Sequence, residues 1–315
     1  MRFRRLLFLL LAAVLALPGA AAAETPDPIF TDEETVVIDE ENGRWSYQSD
    51  VFSVFIERHR ETIVPDEKTG EKPLVYHVAH IYMREYNSFR SGFSDAVESG
   101  TALLAPSKIA RRERAVIAIT GDNVTQQEAN LKGAIIRHGK VFSNHDGESV
   151  MAIKDDLTME IFPRASVDAE QLLEMGIRET FSFGPWLILD GEPNPDVARF
   201  RVNRINPRVG LGMIEPGHFV AIVADGRQAG YSYGLTLPQF RDMFVKEGCV
   251  QAYNLDGGCS TGLVFMGEHL NRHDGTPGAA DYQRAWVDAL MWGYSALVPN
   301  VDDPLLHDGN QEGQP

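Results

Sequence analysis

The chain of 315 residues is 43% hydrophobic and 23% charged, enough for one sizeable core and without the bias of a disordered or collagenous protein. Its 45 Asp and Glu against 29 Lys and Arg give a formal charge of -16, which repels nucleic acid and anionic membranes at long range and excludes both as bulk partners. A small anionic substrate survives that test, because one local Arg dominates within a Debye length of about 10 Å.

The first residues, MRFRRLLFLLLAAVLALPGAAAAE, order a basic start, an apolar run and a small-residue end. That is the pattern of a secretory signal peptide over residues 1–23, and it predicts a secreted, periplasmic or extracellular protein. The apolar run is shorter than the about 20 residues a membrane-crossing helix needs, so no membrane span is expected. Residues 24–73 are acidic and turn-rich and read as an N-terminal lead with one or two strands.

From Leu74 to about Val298 short apolar runs alternate with turn signals: LVYHVAHIYM, RAVIAITGDN, GAIIRHGKVF, WLILDGE, RVGLGMIEPGHFVAIVADGR and VQAYNLDGG. RHGK and IEPGHF predict hairpin turns, and the Asp-Gly pairs end strands where a left-handed backbone is tolerated. Helical periodicity is confined to about Asp168–Met175 and Leu237–Glu247. The second of these has Thr236 and Gln239 as a capping box, Pro238 in its first turn and Gly248 at its stop. The fold class that follows is α+β, a sheet-dominated, mixed or antiparallel domain with few helices, over residues 74–298. Residues 299–315 read as a solvated tail.

Cys249 and Cys259 flank a predicted strand, whose extended length holds their Cα atoms much further apart than the about 4.4–6.8 Å a disulfide spans. Two free thiols are expected, and the spacing fits neither a redox nor a zinc motif.

Three chemistries compete. GYSYG, centred on Ser232, matches the G-x-S-x-G of serine hydrolases, with Asp256 and His269 or His273 downstream. A nucleophile elbow needs its Ser directly between strand and helix, whereas here the strand ends near Ala224 and the helix starts four residues after Ser232. A metal site is the second reading: Asp190, Asp225 and Asp256 each precede Gly, but no segment fits a calcium loop and GEHLNRH is not a zinc-protease motif. No cofactor is certain from these residues, and a divalent metal ion stays open. The third reading takes Arg208 at a strand start, suited to a phosphate, with Asp225 and Asp256 at strand ends and glycines that let backbone N–H groups approach a ligand.

The order RAVIAITGDN, GAIIRHGKVF, FSFGPWLILDGE, NPRVGLGMIEPGHFVAIVADGRQAGYSYGLTLPQF and EGCVQAYNLDGGCSTGLVFMG resembles the phosphodiester glycosidase domain. That is the family of the mannose 6-phosphate uncovering enzyme and of many secreted bacterial proteins, some of them exopolysaccharide-related. The resemblance covers about Leu74 to Val298. It implies hydrolysis of a sugar-1-phosphodiester to free sugar and a phosphomonoester, on an envelope or exopolysaccharide-type glycan. It further implies Asp256 as catalytic base or nucleophile, with Asp225 and Asp122 as second carboxylates. Arg208 is assigned to the phosphate, and Asn254, Gly257, Gly258, Ser260 and Thr261 to substrate binding. The chain departs from the family at Thr120, where Asn is usual, and at Cys259, where Gly is usual; both point to a shifted substrate range or reduced activity. A non-catalytic cell-surface glycan-binding protein on the same fold is the alternative.

Overall fold

The computed structural model describes residues 27–65, 70–93, 104–122, 133–145, 149–272 and 284–300. The leader, His273 and residues 301–315 of the tail lie outside them. Every named strand pairing is antiparallel, and two sheets face each other across the main core.

The larger sheet runs in the order Thr35–Asp39, Arg44–Gln48, Phe52–Ile63, Lys72–Met83, His218–Ala224, Arg208–Glu215, Gln251–Asn254, Trp186–Leu189 and Glu192–Pro193. The second runs Glu268–His269, Leu263–Phe265, Ala115–Thr120, Asp288–Tyr294 and Phe89–Phe93. A three-stranded sheet (Met159–Phe162, Val150–Ile153, Thr180–Phe181) and the hairpin Gly133–Arg137 with Lys140–His145 complete the strands. Near-continuous apolar runs such as AVIAIT and HFVAIVA are the mark of strands covered on both faces, and both are buried throughout. Val54, Ile56, Ile81, Leu211 and Val223 of the larger sheet meet Ile117, Ile119, Leu263, Phe265 and Leu290 of the second.

Each sheet carries a helix on its outer face. Leu237–Lys246 lays Leu237, Phe240 and Phe244 on Val78, Val220 and Ile222, capped as the sequence predicts by Thr236 and Gln239. Ala169–Glu174 likewise starts at a capping box, of Asp168 and Gln171. A third helix, Pro106–Arg112, packs Ile109 and Ala110 against Ala118, Val264 and Met291. It went unread because it is short and its N-cap, Ala105, makes no side-chain bond.

Two glycines let the long helix sit close. A Cβ on Gly210 would fall 2.9 Å from the Phe240 ring and from Tyr253 O, and one on Gly212 would fall 2.7 Å from Cys249 Sγ. Gly210→Ala should therefore cost about 1–3 kcal/mol through overpacking and lower the melting temperature by several degrees. An unchanged thermal midpoint would show that the helix is free to shift.

The N-terminal lead corrects the sequence reading. Residues 24–73 supply three full strands, paired in register with Lys72–Met83 and hence with the central sheet. The overlooked signal is Asn42-Gly43, a hairpin pair whose Gly43 stands at φ +68 between the first two strands. Both cysteines are free, as expected.

Candidate active site

Strands of both sheets end at one rim. Ala224 is paired with Arg208, Asn254 with Gly210, Leu263 with Ile119, and Thr120 with Ala289 next to Asp288. The polar residues that follow these ends are thereby gathered. The segment after Gln251–Asn254 crosses from one sheet to the other: Leu255 N donates to Val209 O at 2.9 Å, and Asp256 N donates to Gly121 O at 3.0 Å.

Asp256 is 9% exposed. Burial raises its carboxyl to about 6, against smaller lowering effects of Ser260, Arg284 and the Gly257 amide, while Asp122 adds to the rise. The same segment carries polar atoms without partners: Asn254 Oδ1 and Thr261 Oγ1 are buried and unbonded among the described residues. Asn254 is held by its amide nitrogen, which donates to Gly184 O at 2.7 Å. An orphaned buried polar atom costs about 1–3 kcal/mol, so two within the eight residues Asn254 to Thr261 that also hold Asp256 mark a segment suited to a polar ligand.

The turn Gly258–Ser260 is fixed from below. Ser260 O accepts from Trp286 Nε1 at 2.8 Å and from the Thr120 hydroxyl. The departure at Thr120 thus has a structural role, one that its hydroxyl fills. A Cβ at Gly257 would meet Pro207 O at 2.6 Å, and Gly258 stands at φ +60 with the Arg227 guanidinium 3.1 Å from where its Cβ would be. Only glycine fits such a combination of close approach and left-handed backbone.

The carboxylates predicted as seconds are spoken for. Asp225 is fully buried and accepts from Tyr231 Oη at 3.0 Å, Asn271 Nδ2 at 3.0 Å and Arg272 N at 3.3 Å, with its carboxyl raised to about 6 by burial. It ties the 225–233 hairpin to residues 271–272. Asp122 accepts from Ser182 N and Phe183 N and lies 3.2 Å from Arg137 Nη2. Burial raises its carboxyl against Arg137 and those two amides.

Asp288 and Arg137 were not read from the sequence. Arg137 is fully buried, bridges Asp288 at 2.6 Å and Asp122, donates to Ile136 O at 3.0 Å and to Thr180 O, and lies 4.0 Å from the Phe181 ring centre. Burial pushes Asp288 up to about 7, against Arg137. Among the described residues its Oδ1 has no partner, and it lies next to Gly121, where a Cβ would stand 2.7 Å away. Two buried carboxyls, Asp122 and Asp288, share one guanidinium, which favours retention of at least one proton near neutral pH.

Arg208 does not present its fork to solvent. It is 3% exposed; Nε donates to Leu235 O at 3.0 Å, and Nη2 to Val202 O at 2.8 Å and to Arg204 O. Burial and the charge of Arg227 lower it to about 10. The exposed guanidinium at the turn belongs to Arg227, held at φ +58 with Nη2 2.6 Å from Asn206 Oδ1 and Nη1 3.4 Å from Cys259 Sγ. Among the described residues Arg208 has no carboxylate partner, so it adds positive charge that acts on Arg227.

Ser232 is not a nucleophile in this arrangement: its buried hydroxyl donates to Asp225 O at 2.7 Å and accepts from Val75 N at 3.0 Å, while His269 Nδ1 lies 2.9 Å from Asn271 O. Among the described residues no group of three or more His, Cys, Asp or Glu is placed to hold a metal ion, and no helix is long and apolar enough to cross a membrane.

A sandwich rim with a buried, raised carboxyl, orphaned acceptors and an exposed guanidinium is a site for a polar, anionic ligand. Residues 113–291 match the family model described as phosphodiester glycosidase, and the chain belongs to that family. It is 31% identical over 194 residues to the SPbeta prophage-derived uncharacterized protein YomE of Bacillus subtilis (strain 168), an overlap of 59% of this chain and 29% of that relative. The match thus spans less than a third of YomE. Among solved structures, the fold resembles the zebrafish N-acetylglucosamine-1-phosphodiester alpha-N-acetylglucosaminidase catalytic domain auto-inhibited by its pro-peptide. The TM-score is 0.64 at 18% identity, covering 77% of this chain and 84% of that one. A protein of Burkholderia pseudomallei K96243 gives a TM-score of 0.52 at 13% identity, covering 70% and 74%. At these identities the likeness concerns the fold.

Proposed function

We propose that the protein hydrolyses a sugar-1-phosphodiester, breaking the bond between the anomeric carbon and the phosphate oxygen and releasing free sugar and a phosphomonoester. The observation that carries this reading is Asp256, a buried carboxyl flanked by the unbonded Asn254 Oδ1 and Thr261 Oγ1 and by the glycine turn under Arg227. Asp256 acts as base or nucleophile toward the anomeric carbon, Asn254, Ser260 and Thr261 bind sugar hydroxyls, and Arg227 meets the phosphate with the charge of Arg208 behind it. Asp122, Asp225 and Asp288 position these groups. The substrate is an envelope or exopolysaccharide-type glycan, met by a protein exported through the leader 1–23.

The chemistry suits the groups. A phosphomonoester, with a second pKa near 6, leaves readily, so little acid assistance is needed. Negative charge grows on the phosphate as the bond breaks, and a guanidinium placed there stabilises the transition state more than the bound diester.

The test is to incubate the protein with a panel of sugar-1-phosphodiesters and measure free sugar and phosphomonoester by mass. Release is expected, and its rate should rise between about pH 5 and 7, as Asp256 loses the proton that burial holds to about 6. Saturable binding with no release would leave a glycan-binding protein in its place.

A further inference from the structure

On a chain with 45 acidic and 29 basic residues, one rim gathers cations. Arg60 stands near the exposed end of the strand Phe52–Ile63, in the alternating series that begins with the buried Val54 and Ile56. Its guanidinium carbon lies 5.9 Å from the centre of the Tyr231 ring, and that of Arg272 lies 4.8 Å from the same ring. The Lys72 ammonium lies 5.9 Å from the ring of Tyr233.

These groups adjoin the candidate site. Tyr231 Oη bonds Asp225, Arg227 N donates to Tyr233 O at 3.2 Å, and Tyr233 N donates to Pro73 O at 2.8 Å beside Lys72. Gln228 Nε2 donates to Arg272 O at 3.3 Å. One hairpin therefore links the guanidinium over the glycine turn to both tyrosines and their cations.

Among the described residues, Arg60, Lys72 and Arg272 have no carboxylate within ion-pair distance. One cation suffices for a cation–π contact; a second over the same ring adds repulsion that an incoming anion would relieve. A single phosphodiester carries one negative charge, and Arg227 already meets it. The remaining cations exceed what that substrate needs.

We infer that the substrate is a polyanionic glycan in which phosphodiesters recur along the chain, and that Arg60, Lys72 and Arg272, with the rings of Tyr231 and Tyr233, hold the repeats next to the one being cut. This rests on the glycosidase reading of the same site and adds the class of polymer it takes. The acidic remainder of the molecule repels generic polyanions, so the strip works at short range only.

The test measures binding of the full chain, by fluorescence anisotropy, to labelled oligomers of N-acetylglucosamine 1-phosphate with one and four repeats, and in parallel their hydrolysis. The longer oligomer should bind about tenfold tighter or more, an advantage that shrinks as salt is raised. In the triple variant Arg60→Gln, Lys72→Gln, Arg272→Gln the ratio of the two affinities should fall toward one. The single variants Arg60→Gln and Arg272→Gln, each checked by thermal melting, give the same ratio should the triple variant fail to fold. Equal affinities in the unmodified protein, or a ratio that survives all the substitutions, would overturn the proposal. So would a single-stranded DNA of equal charge binding as tightly as the four-repeat oligomer. Selective binding of the longer oligomer without sugar release supports the strip and removes the glycosidase reading instead.

Discussion

Asp256→Asn is expected to reduce sugar release by about 10³-fold or more while the protein stays folded. The substitution keeps shape and volume and removes the carboxylate proposed to carry the chemistry. Stability should move the other way. A carboxyl raised by burial from its ordinary value to about 6 holds its proton in the folded state where the unfolded chain has lost it. Its contribution therefore weakens the fold as pH rises from about 4 through 6. Asn carries no such charge, so the variant should match or exceed the unmodified protein at pH 8, by on the order of 1–3 kcal/mol, and the difference should fade near pH 4. Denaturant melts at the two pH values, beside the release assay, read both effects. Activity retained within tenfold would remove Asp256 from the chemistry.

Arg137→Met is expected to have the largest effect on stability, a loss of about 3–5 kcal/mol, because it strands Asp122 and Asp288 without their shared cation. For a domain of this size that corresponds to a fall of roughly 6–20 °C in the melting temperature. The loss should be smaller at low pH, where both carboxyls are protonated, since burial already pushes Asp288 up to about 7. A companion variant, Asp288→Asn with Arg137 intact, separates charge from packing. It keeps the Asp122 ion pair and should cost less than Arg137→Met. Equal losses in the two variants at every pH would mean that the cluster acts through packing alone.

The sequence speaks where local rules govern. The capping boxes at Asp168 and Thr236, the hairpin at His138-Gly139 and the polar burst after Asn254 are short-range patterns, and each lies where the structure has its helix, turn or site. Long-range partnership is not written that way. Arg137 and Asp288 are 151 positions apart and join only because two sheets bring their strand ends together. Nor does spacing tell which of two arginines is covered: Arg208 begins a strand and is sealed by the 202–204 segment and Leu235, whereas Arg227, three residues past a strand end, stays exposed. The turn pair at Asn42-Gly43 is legible, but its strands, TVVID and RWSYQ, are only five residues long and the first is largely exposed, so their apolar signal is weak.

The crossing of residues 255 and 256 between the sheets has a practical meaning. One amide of this dipeptide is fastened to the larger sheet at Val209 and the next to the second sheet at Gly121. The carboxyl we propose as reactive thus sits on the seam of the sandwich and reports the relative placement of its halves. A core substitution that lets one sheet slide over the other would misaim Asp256 before it melted anything. Turnover would then serve as a vernier for sheet docking, finer than any thermal midpoint.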